Sequence, residues 1–259
     1  MKVVVCMKEV PAQAVPRRLD RNSYRLVRSV GSEINGADHD ALEAALLIKD
    51  TGTECEIVVA SVGPTTVVGS LQHALAMGAD RAVVVSDEAV AGSDLIATSR
   101  VLSRLVARES PDLVLFGPQA SDSSGSVLWA AVAERLGTPF VSNATRVKPV
   151  GGAVEATRQT EIGYEKVLVP QPCVISVSGA GQKPRYPSLK GMVAAKRKEV
   201  VVLSLADVGL SPTACGISGS MTRVLGMSPP PPRQKALMIS DENTAAEQIL
   251  AFLSSRRLL

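Results

Sequence analysis

The sequence predicts an α/β fold: a doubly wound, mainly parallel sheet with helices on both faces, followed by an extended C-terminal arm. Short β-branched runs alternate with helical patterns from Val3 to Gly137. The strand-like runs are apolar at almost every position, as strands covered on both faces must be. Hydrophobic residues make up 46% of the chain but aromatics only 3%, so the core consists of Val, Ala and Leu, suited to packing helices on a sheet.

Val3–Met7 reads as the first strand. Asp38–Lys49 reads as a helix whose stripe of Ala41, Leu42, Ala45, Leu46 and Ile48 recurs at helical spacing. Glu56–Val62 is a strand stopped by Gly63-Pro64, and Val67–Met77 a helix closed by Gly78. Ala82–Ser86, Leu95–Ala107, Leu113–Phe116 and Val127–Leu136 continue the alternation, and Gly137 ends the last helix. Beyond Pro139 the rhythm changes. Phe140–Val147, Ala153–Arg158 and Lys166–Val177 read as strands joined by short turns, an antiparallel margin of the same domain. From Lys183 the layered pattern fades into a basic segment, a small-residue stretch and SPPPPR, where four prolines favour an extended polyproline conformation. Asn243–Leu253 reads as a short amphipathic helix, and the tail as a segment draped on another surface.

The chain has 259 residues and a formal charge of +3, which gives no electrostatic case for binding nucleic acid or a membrane surface. Its apolar runs are strand-length, so no membrane insertion is expected. The opening MKVVVCMKEV enters a strand directly, which points to a cytoplasmic protein. Cys6, Cys55, Cys173 and Cys215 form no CxxC, and the first three lie in apolar runs as buried thiols. His39 and His73 lack metal-ligand spacing. No metal site and no catalytic triad is expected.

In a doubly wound sheet, ligands bind beyond the carboxyl ends of the strands, beside helix N-termini. Five polar loops should meet there. They contain Cys6 through Pro11, Asn35 to Asp38, Ser61 to Pro64, Ser93-Asp94 with Thr98-Ser99, and Gly117 to Ser126. Small hydroxyls and free N–H groups at a helix start suit a phosphate. The same residues serve as plain N-caps in many proteins, and neither GxGxxG nor a Walker lysine is present. Composition and spacing leave both readings open.

Taken together, these loops resemble the beta subunit of electron transfer flavoproteins. The stretches that carry the resemblance are MKVVVCMKEVP, INGADHDALEAALLIKD, VVASVGP, ALAMGADRAVVVSD, PDLVLFGPQASD and KPRYPSLKGMVAAKRKEV, in family order over nearly the whole chain. The resemblance implies a Rossmann-like, adenine-nucleotide-binding domain over residues 1–182. It implies a recognition loop and an arm packing on an alpha subunit over 183–259. It further implies an electron carrier without catalytic residues of its own. The heterodimer would take electrons from flavin dehydrogenases such as acyl-CoA dehydrogenase and pass them to a quinone oxidoreductase or other acceptor. The redox FAD would lie mainly on the alpha subunit, with a second FAD or AMP in this one.

Family motifs place the nucleotide near Cys6, Asn35, Asp38, Val62, Asp94, Thr98 and the loop of Gly117, Gln119, Ala120, Asp122, Ser123, Ser124, Gly125, Ser126, Val127 and Leu128. Gly117, Gln119, Ala120 and Asp122 match both the AMP-binding housekeeping branch (GKQAIDDDxNQT) and the branch with a second FAD, which includes electron-bifurcating members (GRQAIDGDTAQVG). Ser123, Ser124, Ser126, Val127 and Leu128 match neither, and the family's side-chain amide is missing at Val127. Trp129 stands where a glycine is usual, in position either to crowd the site or to pack in a core or interface. KEVP, GSDLIATS and the tail SMTRVLGMSPPPPRQKA with its acidic-start helix lean towards the FAD branch. Arg185, Tyr186 and Leu189 match the family's docking loop for dehydrogenases, with Leu189 as its anchor. Two alternatives share the layered domain. A universal-stress-type nucleotide module would lack the long tail, and an ATP-pyrophosphatase would need an SGGxDS-type loop where KEVPAQ stands.

Overall fold

The computed structural model describes residues 1–28, 31–179, 181, 183–232, 236, 238–239 and 243–259. Arg233–Lys235 of the tail and Asp241-Glu242, the acidic start expected for the last helix, lie outside the described residues. The strands are β1 (Lys2–Cys6), β2 (Glu9–Pro11), β3 (Ser32–Ile34), β4 (Glu56–Val62), β5 (Arg81–Val85), β6 (Leu113–Phe116), β7 (Phe140–Val150), β8 (Ala153–Thr160), β9 (Gly163–Pro170), β10 (Cys173–Val177) and β11 (Val200–Leu203). The helices are α1 (Gly36–Asp50), α2 (Val67–Met77), α3 (Leu95–Glu109), α4 (Leu128–Leu136), α5 (Leu189–Ala195), α6 (Gly216–Gly219) and α7 (Ala245–Ser255).

Nine strands form one sheet in the order β11-β5-β4-β1-β6-β10-β7-β8-β9. All pairings from β11 to β7 are parallel, and β7-β8-β9 is an antiparallel margin, as the rhythm after Pro139 predicts. Alternation along β1 divides the core. Val3 and Val5 pack with residues of α1 and α2, whereas Val4 and Cys6 pack with residues of α3 and α4. The chain builds outward from β1 through β4 and β5, then crosses back to β6. The order therefore reverses at β1 and β6, the switch point beyond whose carboxyl ends doubly wound sheets hold their ligand crevice.

Three features depart from the sequence reading. Lys166–Val177 is two strands, not one: Pro170 and Pro172 deprive the ladder of N–H donors, and the chain turns so that β10 enters between β6 and β7. A three-residue hairpin, β2 with β3, brackets the excursion that starts at Ala12. The third departure concerns the tail. The compact unit runs from Met1 to Val224, past the boundary expected at 182/183, and Leu225–Leu259 forms a second unit. Val200–Leu203 extends the sheet beside β5, and Leu203, Leu205, Val208 and Cys215 are buried against α3 and its neighbours. A run of four apolar residues after the basic segment thus finds a sheet edge within its own unit. All four cysteines are free and buried.

The ammonium of Lys198 explains how this stretch is held. It donates to the carbonyls of Leu75, at 2.9 Å, and Ala79, at 2.5 Å, at the C-terminal end of α2. A cation there satisfies carbonyls that the helix leaves open and complements its dipole. Lys198→Met is expected to lower the stability of the folded chain by about 1–2 kcal/mol, read as a lower urea midpoint with an unchanged denaturant slope.

Candidate functional site

The loops after β1 and β6 and the start of α1 meet through two buried side chains. Asn35 donates through Nδ2 to Asp38 Oδ1 and to the Gln119 carbonyl, both at 2.9 Å, and its Oδ1 accepts from Ser121 N at 3.0 Å. Asp38 Oδ2 accepts from Lys8 N at 2.8 Å. Gly117 lies so close that a Cβ on it would collide with the Asp38 carboxylate and the Ala37 backbone, so only glycine fits there. Asn35 and Asp38 therefore order the crevice from beneath. Cys6 is buried as well, and burial pushes its thiol upward.

Above this base sits an ion cluster. Asp122 Oδ1 accepts from Lys8 Nζ at 2.7 Å, and Oδ2 from Arg28 Nη2 at 2.5 Å. The Asp122 side chain is completely covered, whereas the two cations remain part-exposed, at 37% and 42%. Burial alone would raise the Asp122 carboxyl, but Lys8 and Arg28 outweigh it and hold it below the usual carboxylate range. Two cations meet one anion, so the mouth of the crevice keeps a net positive charge.

The loop then leads into α4. Ser123 to Val127 are exposed, and Ser124 and Ser126 adopt left-handed backbone angles, φ 49° and 52°. Two serines in that region carry strain that ordinary turns avoid with glycine. Ser126 Oγ donates to Gln119 Oε1 at 2.8 Å, which closes the loop on itself. Val127 supplies no side-chain cap to α4, so no N-cap side chain accepts from the first N–H groups of that helix. Gly125 lies against α3, since a Cβ on it would stand 3.0 Å from Leu95 Cδ1. Leu128 is partly buried, and Trp129 packs in the core beside Phe140, with ring centroids 5.5 Å apart.

The remaining expected residues separate into two groups. Val62 and Thr98 are partly buried near the ends of β4 and the start of α3. Asp94 caps α3 through Ala97 N at 2.8 Å, and its second oxygen is taken by residues of the chain's later part. Some distance along the chain, Arg185 is clamped by the buried Glu43 and by Asp50 of α1, at 2.8 and 2.6 Å. Its neighbours Tyr186 and Leu189 stand out, 93% and 80% exposed. Lys8 falls within the Cys6–Pro11 loop expected at the site, whereas Arg28 and the pairing of both cations with Asp122 are not expected from the sequence. The signal available was five arginines between residues 17 and 28, opposite a loop carrying one aspartate.

A family model described as electron transfer flavoprotein domain matches residues 25–208. The electron transfer flavoprotein subunit beta of Mycobacterium tuberculosis is 32% identical over 99% of both chains. The chain belongs to the electron transfer flavoprotein family, as a beta subunit. The subunit beta of Methylophilus methylotrophus is 39% identical over 96% of this chain and 95% of its own. The caffeyl-CoA reductase-Etf complex subunit CarD of Acetobacterium woodii is 34% identical over the full length of both. Membership makes this beta subunit an electron-carrier component that works with flavin and with an alpha subunit, and the universal-stress alternative finds no support. Among the described residues of this beta subunit, no helix is long and apolar enough to cross a membrane.

The buried carboxylate under the crevice gives a pH signature. Burial pushes Asp38 up to about 7, while hydrogen bonds from Asn35 and Lys8 and the charge of Lys8 pull it down. The folded state thus holds this proton more tightly than the unfolded chain, where an aspartate titrates near ~4. The sign follows: this contribution to stability is complete below about pH 4 and is lost as pH rises through about 7. Asp38→Asn is expected to flatten that loss, read from urea midpoints between pH 4 and 8, with lower stability at the acid end because one acceptor is gone.

Proposed function

We propose that the crevice beyond β1 and β6 seats the phosphate of an adenine nucleotide, FAD in preference to AMP. The observation that carries this reading is the pair of part-exposed cations, Lys8 and Arg28, held on Asp122 in the loop that leads into the uncapped N-terminus of α4. Helix N–H groups and two part-exposed cations form a donor set suited to a phosphate, and the exposed serine turn beside them adds small hydroxyls, its Ser123 and Ser124 N–H groups being taken by the Ala120 carbonyl. Asp122 holds both cations in place rather than touching the ligand. Asn35 and Asp38 fix the loop positions from below. The preference for FAD rests on the GSDLIATS segment, whose Leu95 touches the nucleotide loop at Gly125. When bound, a flavin supplies reversible one- and two-electron chemistry; the residues of this chain bind and orient it and exclude water. Participation in electron bifurcation would follow from a second flavin here.

The carrier role adds a docking face. Arg185, held by Glu43 and Asp50, fixes the start of the loop that presents Tyr186 and Leu189. Ser188 caps α5 through Gly191 N at 3.0 Å, so Leu189 is displayed at a rigid helix start. A small apolar anchor on a preordered loop suits transient docking of a flavin dehydrogenase such as acyl-CoA dehydrogenase. Electrons then pass to a quinone oxidoreductase or another acceptor, and the segment from Leu225 onward packs on the alpha subunit. The function is thus a cytoplasmic electron shuttle.

Nucleotide released on denaturing the purified heterodimer distinguishes the cofactors. Two FAD per heterodimer are expected, and Lys8→Met should weaken the hold on the second by about 1.5–3 kcal/mol. One FAD with one AMP would move the subunit to AMP binding, and one FAD alone in both proteins would remove the nucleotide reading. Leu189→Ala is expected to slow electron delivery from the cognate dehydrogenase by weakening docking about 1–3 kcal/mol, with bound flavin unchanged. A fall in flavin content would instead make the loop structural.

A further inference from the structure

The N-terminal half of α3 lies between the proposed nucleotide loop and a strap formed by residues 211–222. On one side, Leu95 touches Gly125, and Ser99 Oγ accepts from Arg135 Nε of α4 at 2.8 Å. On the other, Asp94 Oδ2 accepts from Met221 N at 2.8 Å, Thr222 N at 2.9 Å and Thr222 Oγ1 at 3.0 Å. The contacts are reciprocal. Asp94 N donates to Ser220 Oγ at 2.8 Å, Gly216 N donates to Ser93 Oγ at 2.7 Å, and Arg100 donates to the Ala214 carbonyl. Thr222 is three residues before Leu225, where the second unit begins.

We infer that Asp94 is a positioning residue that couples nucleotide occupancy of the loop to the point where the C-terminal arm leaves the first unit. The carboxylate has two separable duties. Oδ1 caps α3 at Ala97 N, while Oδ2 gathers the donors of Met221 and Thr222. A ligand that settles the 123–127 loop settles Leu95 beneath it, and Asp94 is the next residue. Order in the loop is transmitted to the strap by one turn of backbone and one carboxylate. This coupling rests on the nucleotide reading above. By linkage, whatever strength the nucleotide lends to the strap, the strap lends to the nucleotide.

Asp94→Asn separates the two duties. Asparagine caps a helix as well as aspartate does, so α3 keeps its start. Its amide nitrogen, however, is a donor and cannot accept from Met221 and Thr222. The measurement is hydrogen–deuterium exchange of the peptide covering residues 216–224 in the alpha–beta heterodimer, freed of nucleotide in this subunit and then supplied with FAD or with AMP. In the wild type, nucleotide should slow exchange at Met221 and Thr222 by roughly fivefold or more. In Asp94→Asn the slowing should vanish, and nucleotide affinity should fall by the same factor. Thr222→Val, which removes one surface hydroxyl, should give a smaller change in the same direction. Nucleotide that binds the wild type without slowing exchange overturns the coupling alone, as does equal slowing in Asp94→Asn. Failure of both nucleotides to bind the wild type overturns the coupling together with the nucleotide reading.

Discussion

A carboxylate taken out of water is costly unless donors surround it, and the crevice of this protein is organised by that demand. Asp38 is 6% exposed and draws in the Lys8 amide and the Asn35 side chain, with the Gly117 backbone pressed against it. Each donor lies on a different segment: the loop after β1, the turn before α1 and the loop after β6. Asn35 carries the same bond set onward to Gln119 and Ser121. The sheet brings the strand ends near one another, but these contacts decide how the loops face. The Lys8–Asp122–Arg28 cluster can form because Lys8 and the 117–127 loop are already in register.

Two carboxylates in this region are treated in opposite ways. Asp38 has polar neighbours but one nearby cation, so burial dominates and pushes its carboxyl up to about 7. Asp122 is less deeply buried, although its side chain is covered, and two cations reach it and favour its ionised form. The lower group is a neutral-leaning hydrogen-bond hub, the upper one a fixed charge that aligns cations at the mouth. This arrangement leaves positive charge at the mouth of the proposed nucleotide site while placing little unpaired charge in the core.

Much of the fold was legible because its strands are short, apolar and sharply punctuated. Glu56–Val62 and Leu113–Phe116 end where the apolar run meets Gly-Pro, and Val67–Met77 ends at Gly78, whose φ of 140° few other residues adopt. The β2/β3 hairpin was not legible, since three residues show no alternation. Val200–Leu203 was visible as an apolar run, but nothing local says that a tail strand returns to β5. The site was readable in part. Motifs bring Asn35, Asp38 and Gly117–Val127 together, and the structure gathers them. The cations were harder to find, because Lys8 and Arg28 reach Asp122 across 114 and 94 residues and no spacing rule links them.

The return of β10 into the middle of the sheet has a consequence for biosynthesis. Until residues 173–177 have been made, β6 has a partner only in β1, and β7 only in β8. A growing chain that has already formed the four parallel strands β1, β4, β5 and β6 and the antiparallel margin β7-β8-β9 therefore holds a gap one strand wide in its centre. Both lips of that gap are unpaired edges, one of them the wholly apolar LVLF. Parallel pairing across such separations is slow, and open edges recruit other chains. Nascent chains paused on the ribosome before Cys173 should be the ones that most need a chaperone, and completion of VISV is the step that seals the sheet.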